Sequence, residues 1–430
     1  MELGTDALRS WTLCLLALIG HFALCIAAMN RLRSFGLRRQ WSDVIERGLL
    51  AILLGILVLG VLALTAAPES LYDPWATWTA GPIATAYLSI CCVYAMTVTW
   101  LWTLRKWRGP TRRLLSNDSR TIRVDRVLAT SPVGDWRTRA WASLPGNQIL
   151  QLEVNEKVLR MPQLPASLDA MRIAHLSDLH FTGQLTRDYF DLIVDQTNAM
   201  HPDLIAITGD IIDKAECLGW FPDVLGRLTS RLGVYCVLGN HERRLPDKDR
   251  IVDAIRSAGM HYLGGRSTTV AFDGQTILLA GNELPWWGPA PDVPLCPTPD
   301  ASTPALRILL AHTPDRIFWA VRHRFDLMMA GHTHGGQIRF PVIGPVLTQS
   351  RYGVRFAGGT YFQAPTMLHV SRGLSGCQPL RILCRPELAL LVLRSEASIP
   401  GTRPPIVSDV PYQVSSGGGG TGGSRSLGSA

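Results

Sequence analysis

Arg172-Ile173-Ala174-His175-Leu176-Ser177-Asp178-Leu179-His180 decides how the rest of the chain is read: a short apolar run of β type stops and hands over to a carboxylate and an imidazole. In an extended segment residues i and i+2 point the same way, so Asp178 and His180 can converge on one ion. Alone this pair is weak, because Asp and His near strand ends are usually surface groups. Working outward, the arrangement recurs. Asp203 to Thr208 runs into Gly209-Asp210-Ile211-Ile212-Asp213, and Val234 to Leu238 runs into Gly239-Asn240-His241-Glu242. Leu306 to Leu310 precedes His312, and Asp326 to Ala330 precedes Gly331-His332-Thr333-His334-Gly335-Gly336. Gly209 lets the backbone turn tightly where a strand delivers its carboxylate. The two oxygens of Asp210 suit it to bridge two ions. Asp213 reads as support behind a ligand, or as the cap of a following helix.

The same runs set the fold class. Strands are predicted over 149–159, 172–176, 203–208, 234–238, 277–280, 306–310 and 326–330, with helices over 186–200, 221–231, 247–258 and 314–323. Strands alternating with helices imply an α/β domain with a largely buried sheet. Runs at 337–340, 367–371, 381–384 and 388–393, with no clear helix between them, predict additional sheet closing a domain that spans 149–396. Residues 105–148 read as a basic juxtamembrane linker. The tail, 397–430, is Pro-rich and then Gly- and Ser-rich, a composition that cannot bury enough apolar surface to fold.

The first quarter is different. Trp11 to Met29, Gly48 to Ala67 and Ile83 to Leu104 are apolar runs, each able to cross roughly 20 residues' worth of hydrocarbon core. They are read as three transmembrane helices, about 11–29, 48–67 and 83–104, in a membrane region covering 1–104. Arg31, Arg33, Arg38, Arg39 and Arg47 fill the first loop, and Arg105, Lys106, Arg108, Arg112 and Arg113 follow the third run. The second loop, with Glu69, Asp73, Trp75 and Trp78, has no Lys or Arg. Basic flanks mark the cytoplasmic side, which predicts a multi-pass protein of the cell (inner) membrane with its catalytic domain in the cytoplasm.

The net charge of +8 invites a nucleic-acid reading, but residues 1–126 hold 14 Lys and Arg against 8 Asp and Glu. The basicity therefore belongs to the membrane flanks and suits an anionic leaflet better than a nucleic-acid stripe. The nine cysteines show no paired spacing and are read as reduced core residues.

Taken in their order and spacing, the five polar blocks resemble the calcineurin-like metallophosphoesterase superfamily. Residues 149–394 are similar to its bacterial membrane-associated or exported phosphodiesterase branch, through the 172–180 stretch and Val370-Ser371-Arg372-Gly373-Leu374. The resemblance implies a two-sheet αββα sandwich holding two divalent ions of Mn, Fe or Zn. Asp178, His180, Asp210 and His334 would hold one ion, and Asp210, Asn240, His312 and His332 the other. Two cations roughly 3.5 to 4 Å apart would activate a bridging hydroxide for attack on phosphorus. By the same resemblance His241 stabilises the transition state or protonates the leaving oxygen, with Asp213 or Glu242 orienting it.

Substrate choice is read less directly. Trp286 and Trp287, in a Pro-rich loop between 284 and 302, either stack on a base or acyl chain or cover the core. Arg351, Tyr352 and Arg355 are candidates for gripping a phosphate, against a bland reading as solvated surface. Anchoring raises the effective concentration of lipid head groups. The sharper expectation is therefore a lipid-linked phosphodiester or pyrophosphate, such as the UDP-2,3-diacylglucosamine pyrophosphohydrolase step of lipid A synthesis. A reading of another class is a non-catalytic membrane scaffold with a phosphoesterase fold; such relatives lose ligands, and all seven are present here.

Overall fold

Apolar side chains alternate along the buried strands with a period of two, and each strand feeds two cores at once. The computed structural model describes residues 4–36, 39–66, 72–79, 81–109, 111–293 and 304–398. Arg38, Glu69, the 294–302 part of the Pro-rich loop and the tail from 399 lie outside the described residues.

Helices α1 (Thr5–Ser34), α2 (Arg39–Ala66), α3 (Pro74–Trp78) and α4 (Pro82–Arg108) come first. The stretches Thr5–Leu32, Val44–Ala63 and Pro82–Trp107 are long and apolar enough to cross a membrane, and they extend past the ends expected from the sequence. Helices α1 and α4 pack closely: a Cβ on Gly20 would collide with the Cys91 carbonyl. Leu50, Ile52, Leu54, Val58, Leu59, Val61 and Leu62 of α2 stand exposed, a surface that water does not tolerate.

Strand β1 (Leu114–Arg123) follows, then the short helices α5 (Val124–Val127) and α6 (Trp136–Ala142) and strand β2 (Gln151–Met161). The predicted linker over 105–148 is thus corrected. Strand β1 pairs antiparallel with β2 over its whole length. Its side chains are almost all exposed, so it carries no hydrophobic period and is held by the backbone ladder.

Next come β3 (Arg172–Leu176), α7 (Arg187–Ala199), β4 (Leu204–Thr208), α8 (Trp220–Asp223), β5 (Val234–Val237), α9 (Lys248–Ser257), β6 (His261–Tyr262), β7 (Ser267–Phe272), β8 (Gln275–Asn282), β9 (Leu306–Ala311), α10 (Ile317–Arg322) and β10 (Leu327–Ala330). The chain ends with β11 (Arg339–Phe340), β12 (Gly344–Pro345), β13 (Gly359–Gln363), β14 (Thr366–Val370) and β15 (Glu387–Ser395). The helix expected over 221–231 shrinks to α8 and a 3-10 turn at Leu225–Arg227. The strand expected at 381–384 is absent, and only two isolated bridges form there, from Ile382 to Asn147 and to Ile338.

The strands build two sheets, ordered β1-β2-β15-β3-β4-β5-β6 and β13-β14-β10-β9-β8-β7. Strands β3 to β6 run parallel, as do β8, β9, β10 and β14. Between the sheets lie Ile173, Leu204, Ala206, Tyr235 and Val237 from one and Ile277, Leu306, Ile308, Leu310 and Met329 from the other. The alternate residues Ala174, Leu176, Ile205 and Ile207 instead face a core shared with Phe190, Ile193, Phe221 and Ile251 of the helices. A third core joins Leu309, Met328 and Leu368 to Ile317 and Ala320 of α10. The result is the expected two-sheet αββα sandwich.

Ionic groups are buried inside it. Lys157 pairs with Glu387, which also accepts from Asn155 Nδ2 at 2.7 Å and Arg372 Nε at 3.1 Å. Burial works to raise the Glu387 carboxyl, and the Arg372 and Lys157 charges overcome it and hold it well below the usual carboxylate range. Removing one partner of such a group leaves uncompensated buried charge. Glu387→Ala is therefore expected to cost about 3–5 kcal/mol, read as a lowered denaturation midpoint of the detergent-purified chain. A change within that of an exposed control such as Asp253→Ala would contradict the network's importance.

Candidate metal centre

The polar blocks lie beyond the C-terminal ends of β3, β4, β5, β9 and β10, where the parallel parts of the two sheets meet. Ligands gather at such strand ends because the loops there need not satisfy the ladder. The loops that bring them together are strained: Asp178, His180, Asp210, His332 and His334 all adopt positive φ, between 48° and 69°. That conformation is uncommon outside glycine and persists only where the surroundings enforce it.

Asp178, His180, Asp210 and His334 form one fully buried group, with ligand atoms within 4.8 Å of one another. Asp210, His312 and His332 form a second under the same limit. Asn240 Oδ1 joins the second group, 3.1 Å from His312 Nε2. Asp210 belongs to both, its Oδ2 lying 3.7 Å from His180 Nε2 and 3.2 Å from His312 Nε2.

Ring nitrogens turned away from the centre are each held by a fixed group, which aims the other nitrogen inward. His180 Nδ1 meets Asp213 Oδ2 at 2.7 Å, His312 Nδ1 donates to the Thr208 carbonyl at 2.7 Å, and His332 Nε2 donates to the Gln349 carbonyl at 3.1 Å. The inward nitrogens of His180 and His334 are 3.2 Å apart, as are those of His332 and His312. Lone pairs directed at a common point between carboxylates are what a hard or borderline cation takes.

Charge balance makes the same point. Burial pushes His312 down, but the Asp210 carboxylate outweighs it and lifts the ring to about 9. Burial, with His312 beside it, pushes His332 down to about 3, so this ring is neutral and free to ligate. Asp210 is held well below the usual carboxylate range by His241 and His312 despite its burial. Burial raises Asp178, so it is the Asp210 carboxylate that draws positive charge to the positions a divalent cation would fill.

The backbone leaves room for nothing else. A Cβ on Gly331 would collide with Ser177 Oγ and Asp178 Oδ2, one on Gly209 would stand 2.7 Å from His312 Nδ1, and one on Gly239 would reach the Asp210 carboxylate. The donor set and the glycine cradle both fit divalent ions.

A profile of the calcineurin-like phosphoesterase family matches residues 171–336. The chain is also 31% identical over 251 residues to the uncharacterized metallophosphoesterase YkuE of Bacillus subtilis, a match covering 57% of this chain and 86% of that protein. The chain belongs to the calcineurin-like phosphoesterase family. This metallophosphoesterase is likewise 31% identical over 231 residues to phosphodiesterase YaeI of Escherichia coli, covering 52% of this chain and 82% of that one. It is 32% identical over 253 residues to a transmembrane protein with metallophosphoesterase domain from Bos taurus, covering 54% and 55% of the two chains. The family is one of metal-dependent hydrolases that use divalent ions.

Around the metal groups the phosphoesterase places the remaining candidates unevenly. Asp213 pairs with His241 Nδ1 and, through its other oxygen, with His180. Glu242 does not touch the His241 ring: it accepts from the backbone N–H groups of Ile211, Ile212 and Gly239 at 2.6, 3.1 and 2.7 Å, tying two ligand loops together. Trp286 lies against His332 and His312, ring centroids 4.7 and 5.4 Å apart. Trp287 is a strut, donating to the Gly239 carbonyl at 2.8 Å.

The phosphate-gripping trio is corrected in part. Tyr352 packs its ring against Phe318 and Phe356, and Arg355 lies over Phe356 and reaches Gln363 Oε1 at 3.3 Å. Tyr352 packs against the core of the second sheet, and Arg355 remains exposed. Arg351 donates its backbone N–H to Asp315 and keeps its side chain exposed.

Two residues at the site were not singled out from the sequence. Arg244 places one guanidinium nitrogen 3.0 Å from His241 Nε2 and another 3.2 Å from Asp213 Oδ1. It ends the 3-10 turn Glu242–Arg244 that follows the Asn240 loop. Cys377, read as a core hydrophobe, sits 3.3 Å from His241 Nε2. Burial opposes its ionisation, but His180 and His241 draw the thiol down to about 6. No local pattern around Cys377 announces this. Gly331→Ala, which alters no ligand, is expected to weaken divalent-metal affinity by about 10–100-fold, measured by titration calorimetry with Mn; unchanged affinity would contradict the cradle.

Proposed function

We propose that this chain is a membrane-anchored phosphodiesterase in which Asp178, His180, Asp210 and His334 hold one divalent ion and Asp210, Asn240, His312 and His332 hold a second, of Mn, Fe or Zn. The observation that carries the reading is Asp210, one carboxylate shared between two convergent sets of inward-facing donors. When bound, two such ions supply Lewis-acid charge for the phosphoryl oxygens and an activated water at neutral pH.

His241 supplies what the ions do not. Burial opposes its protonation, but the Asp210 carboxylate and the Asp213 hydrogen bond lift it to about 9 in the chain without ions. Asp213 fixes Nδ1, and Nε2 lies 3.8 Å from Asp210 Oδ2 with Arg244 and Cys377 beside it. From there it donates a proton to the departing ester oxygen. Arg244, whose guanidinium meets His241 and Asp213, adds positive charge beside it for a phosphate. Trp286 closes one wall.

The three apolar helices and their basic flanks support a multi-pass protein of the inner membrane, with the domain on the cytoplasmic side. Anchoring favours a lipid-linked phosphodiester, with the pyrophosphate UDP-2,3-diacylglucosamine as the alternative. Accumulation of that pyrophosphate on depletion of the protein would favour the alternative, and unchanged lipid precursors would reject it. The scaffold reading is disfavoured by the complete ligand set.

Asp210→Ala is expected to abolish Mn-dependent release of nitrophenol from bis-p-nitrophenyl phosphate; retained hydrolysis would refute the assigned centre. His241→Ala should lower kcat by about 10²–10⁴-fold. Its cost should be larger for an alkyl ester than for a p-nitrophenyl ester, because the poorer leaving group needs the proton more. Equal losses on both would remove His241 from the acid role.

A further inference from the structure

The ribbon formed by β11 and β12 carries a surface that the metal chemistry does not use. Its two strands pair through Arg339 with Pro345 and Phe340 with Gly344. Around it Ile338, Phe340, Val342, Ile343 and Leu347 are 40%, 51%, 73%, 59% and 47% exposed. A cluster of large apolar side chains on one projecting ribbon marks an interaction surface.

The ribbon is fastened to the C-terminal ends of two membrane-length helices. Trp102 of α4 donates its indole N–H to the Ile343 carbonyl at 3.2 Å. Asn30 of α1 donates to the Val346 carbonyl at 3.0 Å and accepts from the Thr348 N–H at 2.8 Å. Trp102 lies six residues before the end of α4, which at 1.5 Å per residue is about 9 Å inside it. That is the depth at which interfacial tryptophans and amphipathic elements reside.

The metal groups touch the backbone that continues from this ribbon. Gln349, next to Thr348, accepts from the ligand His332. On the other rim, Arg243 donates to the carbonyl of Gly36, just past α1, at 3.4 Å. A Cβ on Gly36 would stand 3.2 Å from the ring of Pro285, the neighbour of Trp286. Loops on both sides of the metal cluster are thus tied to the same helix ends.

We propose that the 338–347 ribbon dips into the bilayer interface and seats the mouth of the metal site on the leaflet, so that the enzyme hydrolyses the phosphodiester of a bilayer lipid drawn directly from the membrane. This rests on the phosphodiesterase reading and sharpens its substrate class. In the reaction a water oxygen bonds to phosphorus and one ester P–O bond breaks. The water proton leaves with the departing alkoxide, giving a phosphomonoester and an alcohol.

Two measurements on the full chain test it, in vesicles of phosphatidylethanolamine and phosphatidylglycerol. With a benzophenone amino acid replacing Val342, irradiation is expected to yield a lipid adduct, and none when it replaces Asp253. A protein–protein adduct at 342 would assign the ribbon to a second copy, and no adduct would leave it in water; either overturns the proposal. The double variant Val342→Asp/Ile343→Asp should hydrolyse soluble bis-p-nitrophenyl phosphate as the parent does. On phosphatidyl-p-nitrophenol in the same vesicles it should be slower by about tenfold or more. Equal rates on the lipid ester overturn interfacial delivery. Loss on both esters marks a misfolded variant, and the adduct at 342 then decides. A parent chain inactive on both esters defeats the phosphodiesterase reading, while the adduct still reports whether the ribbon meets lipid.

Discussion

Asp210 is the constraint on which the rest of the structure depends. It is a buried carboxylate shared between two groups of ligands, and taking such a charge out of water is costly unless cations and hydrogen bonds surround it. Every nearby feature answers that demand. Gly209 and Gly239 bring backbones within collision range of a side chain, Glu242 locks the loops after β4 and β5 together, and five of the seven proposed ligands hold left-handed backbone. The strain is held by two sheets packed face to face through the core between β3 to β5 and β8 to β10. Strain concentrated at convergent ligands belongs to a preorganised site rather than to a surface that happens to be acidic.

Much of this was legible in the sequence, for a definite reason. Buried parallel strands read as short continuous apolar runs, and a catalytic α/β sandwich puts its polar residues where those runs end. The runs at 172–176, 203–208, 234–238, 306–310 and 326–330 therefore located both the strands and the polar residues that gather at their ends. What the sequence hid is held by other forces. Strand β1 lacks a buried face and exists through its ladder with β2. The segment at 381–384 carries apolar residues but is pinned by Arg381, a fully buried guanidinium that donates to the carbonyls of Arg372, Ser375 and His334. Cys377 arrives at His241 from more than 130 residues away, through contacts that no local pattern encodes.

The substrate side was less readable because the groups that line a mouth are chosen by geometry. Tyr352 has the right chemistry for phosphate but is turned into packing, whereas Arg244, unremarked beside Asn240 and His241, reaches the His241 ring. Trp286 and Trp287 are adjacent and yet divide, one against the ligands and one beneath the loop that carries Asn240. The membrane helices meet the domain through the same loops that rim the metals. The apolar helices and the candidate metal site therefore share an interface.

The central claim is that one carboxylate organises two ions on a single chain. The most direct measurement is the number of Mn equivalents bound by the purified, metal-stripped full chain, followed together with hydrolysis of bis-p-nitrophenyl phosphate as metal is added. The account predicts two equivalents per chain, with activity reaching its plateau only as the second is filled. Full activity at one equivalent, or hydrolysis that persists without metal, would contradict it.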